Sequence, residues 1–361
     1  MNVLQISHDY AGPFRSVCRQ YSSAFGEHHV TTVYLCGEPD CAVAEATGGN
    51  DVRFLGMSPA SLRGIKIGAM RKLARIYRER EFDVVVAHRY KPIYLAGVMR
   101  YFFPAAALLG VIHEHEVLRR PTRKLFVNFW QRRLICIGVS ESVTANIREI
   151  CGPLAGRSFT LPGAIDPAAA SRFLPRDAAR SQLGIERAPF VFGTVGRLVA
   201  KKDHETLIRA FAALEADAML VLVGDGPARE HLQQVATELG VADRVVFAGH
   251  VENAATVLAA FDAFVFPSGR EEAFGIALLE AMLAEVPIVC SRAPGPLSVV
   301  GDAALLFEPG DIAALTARLA EIRRLDDPAR LALGEAGRAR LNERFTLAAF
   351  RDRLWAIPQL R

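Results

Sequence analysis

The residues best suited to chemistry in this sequence are two glutamates, Glu272 and Glu280, which flank the Phe274-Gly275 step. They follow an apolar run, residues 263–267, that is typical of a buried strand. The pattern predicts a strand, a short loop and a helix that begins near Gly275, with Glu272 in the loop and Glu280 in the helix. Free backbone N–H groups at a helix start bind phosphate. The segment therefore favours a ligand that carries both phosphates and hydroxyls, such as a nucleotide sugar.

The same glutamates have a simpler explanation, because the helix dipole favours acidic residues at the start of any helix. A second segment bears on the choice. Arg197 comes just after another predicted strand, and Lys202 follows five residues later in the same loop. Two cations held there would neutralise a diphosphate leaving group as negative charge builds on it. Alternatively, they are ordinary solvated loop residues.

A third segment, Val223-Gly-Asp-Gly-Pro227, follows the next predicted strand. It lacks the third glycine of a dinucleotide-binding fingerprint, and the chain has no Walker A sequence. We interpret it as a sharp structural turn between a strand and a helix.

Length and composition predict two domains of ordinary size in a folded, globular chain, since 361 residues are 51% hydrophobic and 23% charged. The first residues form a short apolar strand without the basic segment of a secretory signal. The six cysteines show no metal-binding spacing, which is typical of reduced cysteines in a cytoplasmic protein. The apolar stretch 94–112 is interrupted by Arg100 and Pro104, which favours a helix, a turn and a buried strand over a membrane span.

Charge is unevenly divided along the chain. Residues 1–170 hold 21 Lys and Arg against 14 Asp and Glu, whereas residues 171–361 hold 22 against 25. The basic excess lies in two segments, Arg63–Arg80 and Arg119–Arg133, where it interleaves with apolar residues. Such segments predict either peripheral contact with an anionic membrane or amphipathic helices that pack on their own domain. No nucleic-acid motif accompanies the charge, so we expect no nucleic-acid partner.

Short β-branched runs alternate with helical patterns from end to end, which predicts an α/β fold with parallel sheets in both halves. We expect two doubly wound, Rossmann-like domains that face each other across a cleft. The turn-rich stretch 161–167 places the boundary between residues 1–165 and residues 166–345, with a C-terminal helix at about 346–361 returning to the first domain. The twelve candidate strands are residues 3–6, 30–35, 52–55, 83–87, 110–113, 134–139, 190–195, 218–223, 244–247, 263–266, 287–290 and 304–307.

Taken in order, the motifs from Gly193 to Gly310 resemble the donor-binding domain of retaining glycosyltransferases of family 4, which have the GT-B fold. The matching features are the Gly-Arg-Leu-Val loop with Lys202, the Val-Gly-Asp-Gly-Pro turn, residues 244–249, Pro267-Ser268 ahead of the Glu-x7-Glu motif, residues 280–282, and the stretch from Gly301 to Asp311. They cover about a third of the chain at close spacing.

The resemblance implies roles for individual residues. Arg197 and Lys202 would bind the donor diphosphate, and the backbone of Phe274, Gly275 and Ile276 would cradle it. Glu272 would hold hydroxyls of the donor sugar near the reacting centre, and Glu280 would hold the ribose hydroxyls.

The first half resembles the acceptor-binding domain of such enzymes more loosely. Gly12 matches a glycine-rich loop that lets phosphates and acceptor approach the backbone. His113 resembles the histidine of the acceptor side that contacts the donor sugar. His115 and His88 are rival candidates for that role, and each of the three also has an ordinary structural explanation.

The sequence departs from the family pattern at three places. Ala273 replaces a glycine before Phe-Gly, Ser298 stands where glutamate is common, and residues 161–166 lack an Asn-Gly pair. None of these changes removes a charged member of the expected site, but they leave the shape of the donor pocket open.

The expected function is retaining transfer of a hexosyl group from a UDP- or GDP-sugar to an acceptor hydroxyl, with no metal and no other cofactor required. The acceptor would be a saccharide or a lipid-linked saccharide, such as a lipopolysaccharide or exopolysaccharide precursor. The enzyme would be cytoplasmic and peripheral on the inner membrane. Two alternatives stay open, a sugar-nucleotide epimerase of the same fold and a non-catalytic module that binds nucleotide sugars.

Overall fold

The structure, a computed structural model, describes residues 1–105, 107–186, 188–214 and 217–360. The chain forms two compact units. The first consists of Met1–Ala164 and Leu347–Arg361, and the second of Ile165–Thr346. Arg361, the last residue of the expected C-terminal helix, lies outside the described residues.

Strands and helices alternate in both units. The strands are β1 (Asn2–Ser7), β2 (His29–Tyr34), β3 (Asp51–Phe54), β4 (Val84–His88), β5 (Ala107–Ile112), β6 (Leu134–Gly138), β7 (Ser158–Thr160), β8 (Val191–Val195), β9 (Met219–Val223), β10 (Val245–Gly249), β11 (Ala263–Phe266), β12 (Ile288–Ser291) and β13 (Leu305–Phe307). The helices are α1 (Phe14–Phe25), α2 (Cys41–Thr47), α3 (Ile67–Glu79), α4 (Tyr90–Phe102), α5 (Pro121–Phe129), α6 (Glu141–Ile150), α7 (Arg176–Leu183), α8 (His204–Ala212), α9 (Arg229–Glu238), α10 (Ile276–Leu283), α11 (Pro294–Val300), α12 (Ile312–Arg324), α13 (Asp327–Arg344) and α14 (Leu347–Trp355).

Each unit holds one parallel sheet, so the expected fold class is confirmed. The first sheet has seven strands in the order β3-β2-β1-β4-β5-β6-β7, and the second has six in the order β10-β9-β8-β11-β12-β13. Buried strands such as Val84–His88 read as continuous apolar runs because helices cover both faces of a parallel sheet. All twelve candidate strands are present. Strand β7 was not predicted from the sequence, because this strand has only three residues and no apolar run.

The apolar stretch 94–112 contains the end of α4 and then β5, as predicted. The strand begins at Ala107, three residues before its predicted start, and ends at Ile112, which leaves His113 in the following loop. Across the part of the chain that the structure describes, no helix is both long and apolar enough to cross a membrane.

The order of the strands reverses direction next to the first strand of each sheet. In the first unit this happens between β1 and β4, and in the second between β8 and β11. In open parallel sheets, ligands bind beyond the carboxyl ends of the strands at such a switch point. Arg197 and Lys202 follow β8, and Glu272 follows β11. The fold therefore gathers these three residues at the switch point of the second sheet.

Candidate functional site

The centre of the second unit's site is an ion pair between Lys202 and Glu272. The Lys202 Nζ lies 2.6 Å from the Glu272 Oε2, and both side chains are largely buried, with exposed fractions of 17% and 10%. Burial by itself would raise the pKa of Glu272. The Lys202 ammonium outweighs burial, with help from Lys201 and the backbone N–H of Phe274, so the pKa lies below its ordinary value. Glu272 is therefore an anion at neutral pH, held in place by a cation.

Lys202 is positioned by the short turn that carries it. It ends a 3₁₀ segment, Ala200–Lys202, between β8 and α8, and its Nζ also lies 4.7 Å above the centre of the Phe266 ring. Phe266 is the last residue of β11, which pairs with β8 in the sheet. Two neighbouring strands thus supply the partners that fix the lysine.

Arg197 lies in the same loop, but its side chain is exposed and forms no ion pair within the described residues. The backbone of the next residue, Leu198, is held by the Gly-Asp-Gly turn after β9. Leu198 N–H donates to Asp225 O at 3.0 Å, and a Cβ on Gly226 would lie 2.3 Å from Leu198 O. Only glycine permits this approach. The interpretation of residues 223–227 as a structural turn is therefore confirmed, and the turn supports the loop that presents Arg197.

Gly275 makes the bend that starts α10. It adopts φ 104°, and a Cβ there would lie 2.9 Å from the Phe266 ring. The first N–H groups of α10, beginning at Ile276, face away from the body of the helix and lack intrahelical partners. The Phe274 N–H donates to the Glu272 carboxylate. The predicted cradle residues thus sit at a helix start, with one N–H already engaged by Glu272.

Ala273 stands where the resembled family pattern has glycine, and it fits this position without strain. Its φ is negative, so the backbone needs no glycine. Close packing at this point is provided instead by Gly295 in α11, where a Cβ would lie 2.2 Å from Glu272 O. Ser298, the other departure in this region, donates from its Oγ to Gly295 O at 2.6 Å.

Glu280 lies one turn into α10, and no hydrogen bond or ion pair to its carboxylate is recorded among the described residues. Burial raises its pKa to about 7. A carboxyl group this poorly solvated, with its hydrogen-bonding capacity unused, is suited to accept hydrogen bonds from ligand hydroxyls.

In the first unit, His113 follows β5 and contacts His88 at the end of β4. The His113 Nε2 and the His88 Nδ1 are 3.4 Å apart. His88 is fully buried, and its Nε2 lies 3.1 Å from the Gln5 Oε1 in β1. Burial, reinforced by Arg89, lowers the pKa of His113 to about 3. Burial, reinforced by His113, holds the pKa of His88 well below its ordinary value. Both imidazoles are therefore neutral.

The three histidine candidates have different surroundings. His113 lines a cavity of about 240 Å³ together with His8, Arg89, Lys91 and Arg123. His88 lies behind it in the core, and the His115 Nε2 contacts the Ser142 Oγ at 3.0 Å. Only His113 among the three lines this cavity in the described structure.

Gly12 lies in the turn between β1 and α1. Its φ is 57°, and no atom comes within 4 Å of a Cβ built on it. The turn therefore uses the conformational freedom of glycine without close protein packing. Open space on this side leaves its backbone accessible to a ligand.

Sequence reasoning missed Gln5, Lys91 and Gly295. Gln5 is a polar residue inside an otherwise apolar strand, Val3-Leu4-Gln5-Ile6, and this was the available signal. Lys91 is one more cation in a basic half of the chain. Gly295 stands between two prolines at a helix start and resembles an ordinary turn glycine.

No group of three or more His, Cys, Asp or Glu side chains is arranged to hold a metal ion within the described ranges. All six cysteines are free thiols, and five of them are buried.

Known proteins resemble this chain in sequence and in fold. The sequence model of "Glycosyl transferases group 1" matches residues 175–340, which lie within the second unit. A GDP-mannose-dependent alpha-(1-6)-phosphatidylinositol monomannoside mannosyltransferase from Mycolicibacterium smegmatis is 30% identical over 288 residues, 74% of this chain and 74% of the relative. The chain belongs to the group 1 glycosyltransferase family. This glycosyltransferase is also 41% identical over 177 residues to the lipopolysaccharide core biosynthesis glycosyltransferase LpsD of Rhizobium meliloti.

The alignment with LpsD covers 48% of this chain and 50% of LpsD. Among solved structures, HepE of Anabaena in complex with UDP has a TM-score of 0.82 and 21% identity, and the match covers 99% of both chains. At that identity the likeness establishes the GT-B fold of this glycosyltransferase.

Proposed function

We propose that this glycosyltransferase transfers a hexosyl group from a UDP- or GDP-sugar to an acceptor hydroxyl, with retention of the anomeric configuration. The second unit binds the donor and the first binds the acceptor. The observation that carries the proposal is the buried Lys202–Glu272 pair beside the Gly275 bend and the start of α10. A relative that uses GDP-mannose and a structural neighbour that binds UDP support this class of donor.

The donor diphosphate would lie between the loop after β8 and the start of α10. Arg197 and Lys202 supply two positive charges, and the N–H groups of Gly275 and Ile276 supply donors aligned with the helix dipole. As the bond to the sugar breaks, negative charge grows on the leaving phosphate, and cations held in place stabilise it without reorganisation. Lys202 is the better held of the two, because Glu272 and Phe266 fix its ammonium.

The two glutamates would take different hydroxyls. Glu272 is ionised and held by Lys202, so it accepts hydrogen bonds from the donor sugar close to the reacting carbon. Glu280 has no protein partner among the described residues and would accept from the ribose hydroxyls.

Retention would follow from attack on the face that the leaving phosphate vacates. The acceptor hydroxyl then passes its proton to the departing phosphate oxygen, and no protein carboxylate acts as nucleophile. In this scheme the two cations carry the role of charge neutralisation, so transfer requires no metal ion. EDTA should leave turnover unchanged.

The decisive test is turnover with a panel of UDP- and GDP-hexoses, measured as release of the nucleoside diphosphate with and without saccharide acceptors. We expect release that depends on the acceptor, and a product whose anomeric proton has the donor's configuration by NMR. Conversion of the donor to another sugar nucleotide without acceptor would show an epimerase. Binding without turnover of any donor would show a non-catalytic module.

We further propose that the enzyme works at an anionic membrane surface, on the cytoplasmic face of the inner membrane, with a lipid-linked saccharide or a lipopolysaccharide or exopolysaccharide precursor as acceptor. Large apolar side chains stand exposed in the two basic segments and at the end of α4. Leu125 and Phe129 on α5 are 73% and 77% exposed. Ile65, Ile67, Tyr101 and Phe102 are exposed as well. Apolar side chains among Lys and Arg are the composition of an interfacial surface.

Flotation with vesicles containing anionic phospholipid tests this surface. We expect binding that weakens as salt is added, and a marked loss of binding in the double variant Leu125→Ser/Phe129→Ser, because it removes apolar area that would insert among the lipids. Leu331→Ser is the matched control, since Leu331 is an exposed apolar residue on α13 of the second unit. Flotation that is unchanged by the double variant, or absent altogether, would contradict membrane contact.

A further inference from the structure

The cavity at the switch point of the first sheet carries an excess of positive charge. Arg89, Lys91 and Arg123 line it, and the acidic residue among its lining residues is Glu114, which is exposed. Arg89 is partly neutralised by Asp9, with 3.5 Å between Nη1 and Oδ2. Within the described residues, neither Lys91 nor Arg123 forms an ion pair. A cavity with unpaired cations in its wall is suited to an anionic ligand.

The Lys91 ammonium is held by one hydrogen bond and has further N–H donors available. Its Nζ lies 3.3 Å from the His8 Nε2, and the His8 Nδ1 lies 2.7 Å from the Asp9 Oδ2. Since the carboxylate must accept, the His8 Nδ1 carries the proton and its Nε2 accepts from Lys91. An ammonium has three donors, so two are left for a ligand.

Arg123 is braced in a similar way. Its Nη1 donates to Val117 O at 3.0 Å, and its guanidinium lies 4.6 Å from the centre of the Tyr90 ring. A planar guanidinium held on an aromatic face keeps further N–H donors for an anion. Both cations are therefore oriented by neutral protein groups, and neither is neutralised.

The positions of the protons on His88 and His113 follow from the hydrogen-bond partners of these two rings. The Gln5 Nε2 donates to Cys18 O and to the Thr32 Oγ1, and a carbonyl can only accept, so the amide orientation of Gln5 is determined. Its Oε1 therefore accepts from the His88 Nε2. The His88 Nδ1 is then the unprotonated nitrogen of a neutral ring, and the His113 Nε2 must donate to it.

This arrangement determines the protonation of the other ring nitrogen of His113, Nδ1. With Nε2 protonated and the ring neutral, Nδ1 carries a lone pair, and no hydrogen bond to it is recorded in the described structure. His113 lines the cavity, so this lone pair is available to a ligand that can donate. A hydroxyl is such a donor, whereas a phosphate dianion is not.

We propose that this cavity binds the acceptor as an anionic saccharide, with Lys91 and Arg123 holding a phosphate or carboxylate group and the unprotonated Nδ1 of His113 accepting a hydrogen bond from an acceptor hydroxyl. This differs from the family resemblance, which implies that His113 contacts the donor sugar. Gln5 and His88 act as positioning residues that set the tautomer of His113. The inference rests on the proposed function, because it assigns the acceptor to the first unit.

Binding of small probes tests the charge preference without any need for turnover. We would titrate the full-length protein with glucose, glucose 6-phosphate and glucuronate by calorimetry. Because Lys91 and Arg123 would bind the anionic group, glucose 6-phosphate or glucuronate should bind at least about tenfold more tightly than glucose. The double variant Lys91→Gln/Arg123→Gln should lose that preference, and Arg19→Gln, an exposed cation on α1, should keep it. The tighter of the two anionic probes tells whether phosphate or carboxylate is preferred.

The second unit also has cations, so Lys202→Gln is a necessary arm. An anion preference that disappears in Lys202→Gln and survives in Lys91→Gln/Arg123→Gln would overturn the proposal, as would equal binding of all three sugars or no binding of either anionic probe. The proposed function fails separately. If the anion preference resides in the first unit but no nucleotide sugar is turned over, the cavity assignment holds and the transferase assignment does not.

The tautomer of His113 can be observed directly by ¹⁵N NMR of the histidine rings, with the signals assigned by their loss in His113→Asn. We expect a proton on Nε2, none on Nδ1, and spectra unchanged between about pH 5 and 8. The variant Gln5→Leu should leave a mixture of tautomers. A proton on Nδ1 in the unaltered protein would overturn the positioning role of Gln5 and His88, even if Gln5→Leu does not fold.

Discussion

The switch points of the two sheets differ in how their charged side chains are paired and in how closely their backbone packs. In the second unit, Lys202 and Glu272 are in direct contact, and glycines bring backbone segments within van der Waals contact. One carboxyl group, that of Glu280, forms no hydrogen bond or ion pair with any residue that the structure describes. In the first unit, the neutral His113 and two cations that form no ion pair among the described residues, Lys91 and Arg123, line a cavity of about 240 Å³, and Gly12 stands in open space. The site of the second unit is therefore closely packed around a paired charge, whereas the cavity of the first unit is open and its charges keep capacity for a ligand.

The largest expected effect concerns the ion pair. Lys202→Ala should lower turnover about 10²–10³-fold, the cost of removing one preorganised group that stabilises transition-state charge. Lys201→Ala is the matched control, since this neighbour is exposed and does not contact Glu272 directly, and it should retain most of the activity. Steady-state kinetics with the best donor measures both variants. Full turnover in Lys202→Ala would remove the main support for the donor site.

The next largest effect is expected on stability, from substitution of one glycine in each unit, Gly275 and Gly12. Gly275→Ala should destabilise the protein by about 1–3 kcal/mol, because alanine disfavours φ 104° and its Cβ would press on the Phe266 ring. Gly12→Ala should cost about 1 kcal/mol or less, since it meets the left-handed conformation without a clash. Urea unfolding measures both. Equal losses would contradict the difference in packing around these two glycines.

The smallest expected effect is a pH dependence of donor binding. The pKa of Glu280 is raised to about 7, so in the free protein the carboxyl group is mostly protonated below that pH and charged above it. A carboxylate accepts hydrogen bonds from ribose hydroxyls better than the protonated acid does, so nucleoside diphosphate affinity should rise several-fold as pH increases through about 7. Calorimetry across this range measures the effect.

The matched variants for this titration are Glu280→Gln and Glu252→Gln. Glu280→Gln should remove the rise, because the amide does not titrate, and Glu252→Gln, an exposed loop residue of the same unit, should preserve it. The same pKa shift acts on stability with a definite sign. The folded state holds the proton more tightly than the unfolded chain, so this group's contribution to stability falls as pH rises from about 4.5 to about 7 and is constant above that.

How much the sequence could predict differs between the two sites. In the second unit, the proposed residues lie in the loops after β8 and β11 and in the first half of α10, within a run of motifs. Strand periodicity and helix-start chemistry therefore located them. In the first unit, the four residues come from separate places in the chain: Gln5 from the interior of β1, His88 from the end of β4, Lys91 from the start of α4 and His113 from the loop after β5. Each of these residue types is common at such positions, and no motif or spacing in the sequence predicts that they come together.

The sequence by itself determined the alternation of strands and helices, because that depends on local hydrophobic periodicity and turn residues. It also determined the order of charged residues after β8 and β11, which was enough to indicate a phosphate-binding site. The tertiary structure decided which of these charges are paired. The sequence does not distinguish Glu272, whose carboxylate lies 2.6 Å from the Lys202 ammonium, from Glu280, which has no ion pair among the described residues. It also decided the protonation of the histidine pair, because the position of a proton depends on hydrogen-bond partners that come together only when separate strands join one sheet.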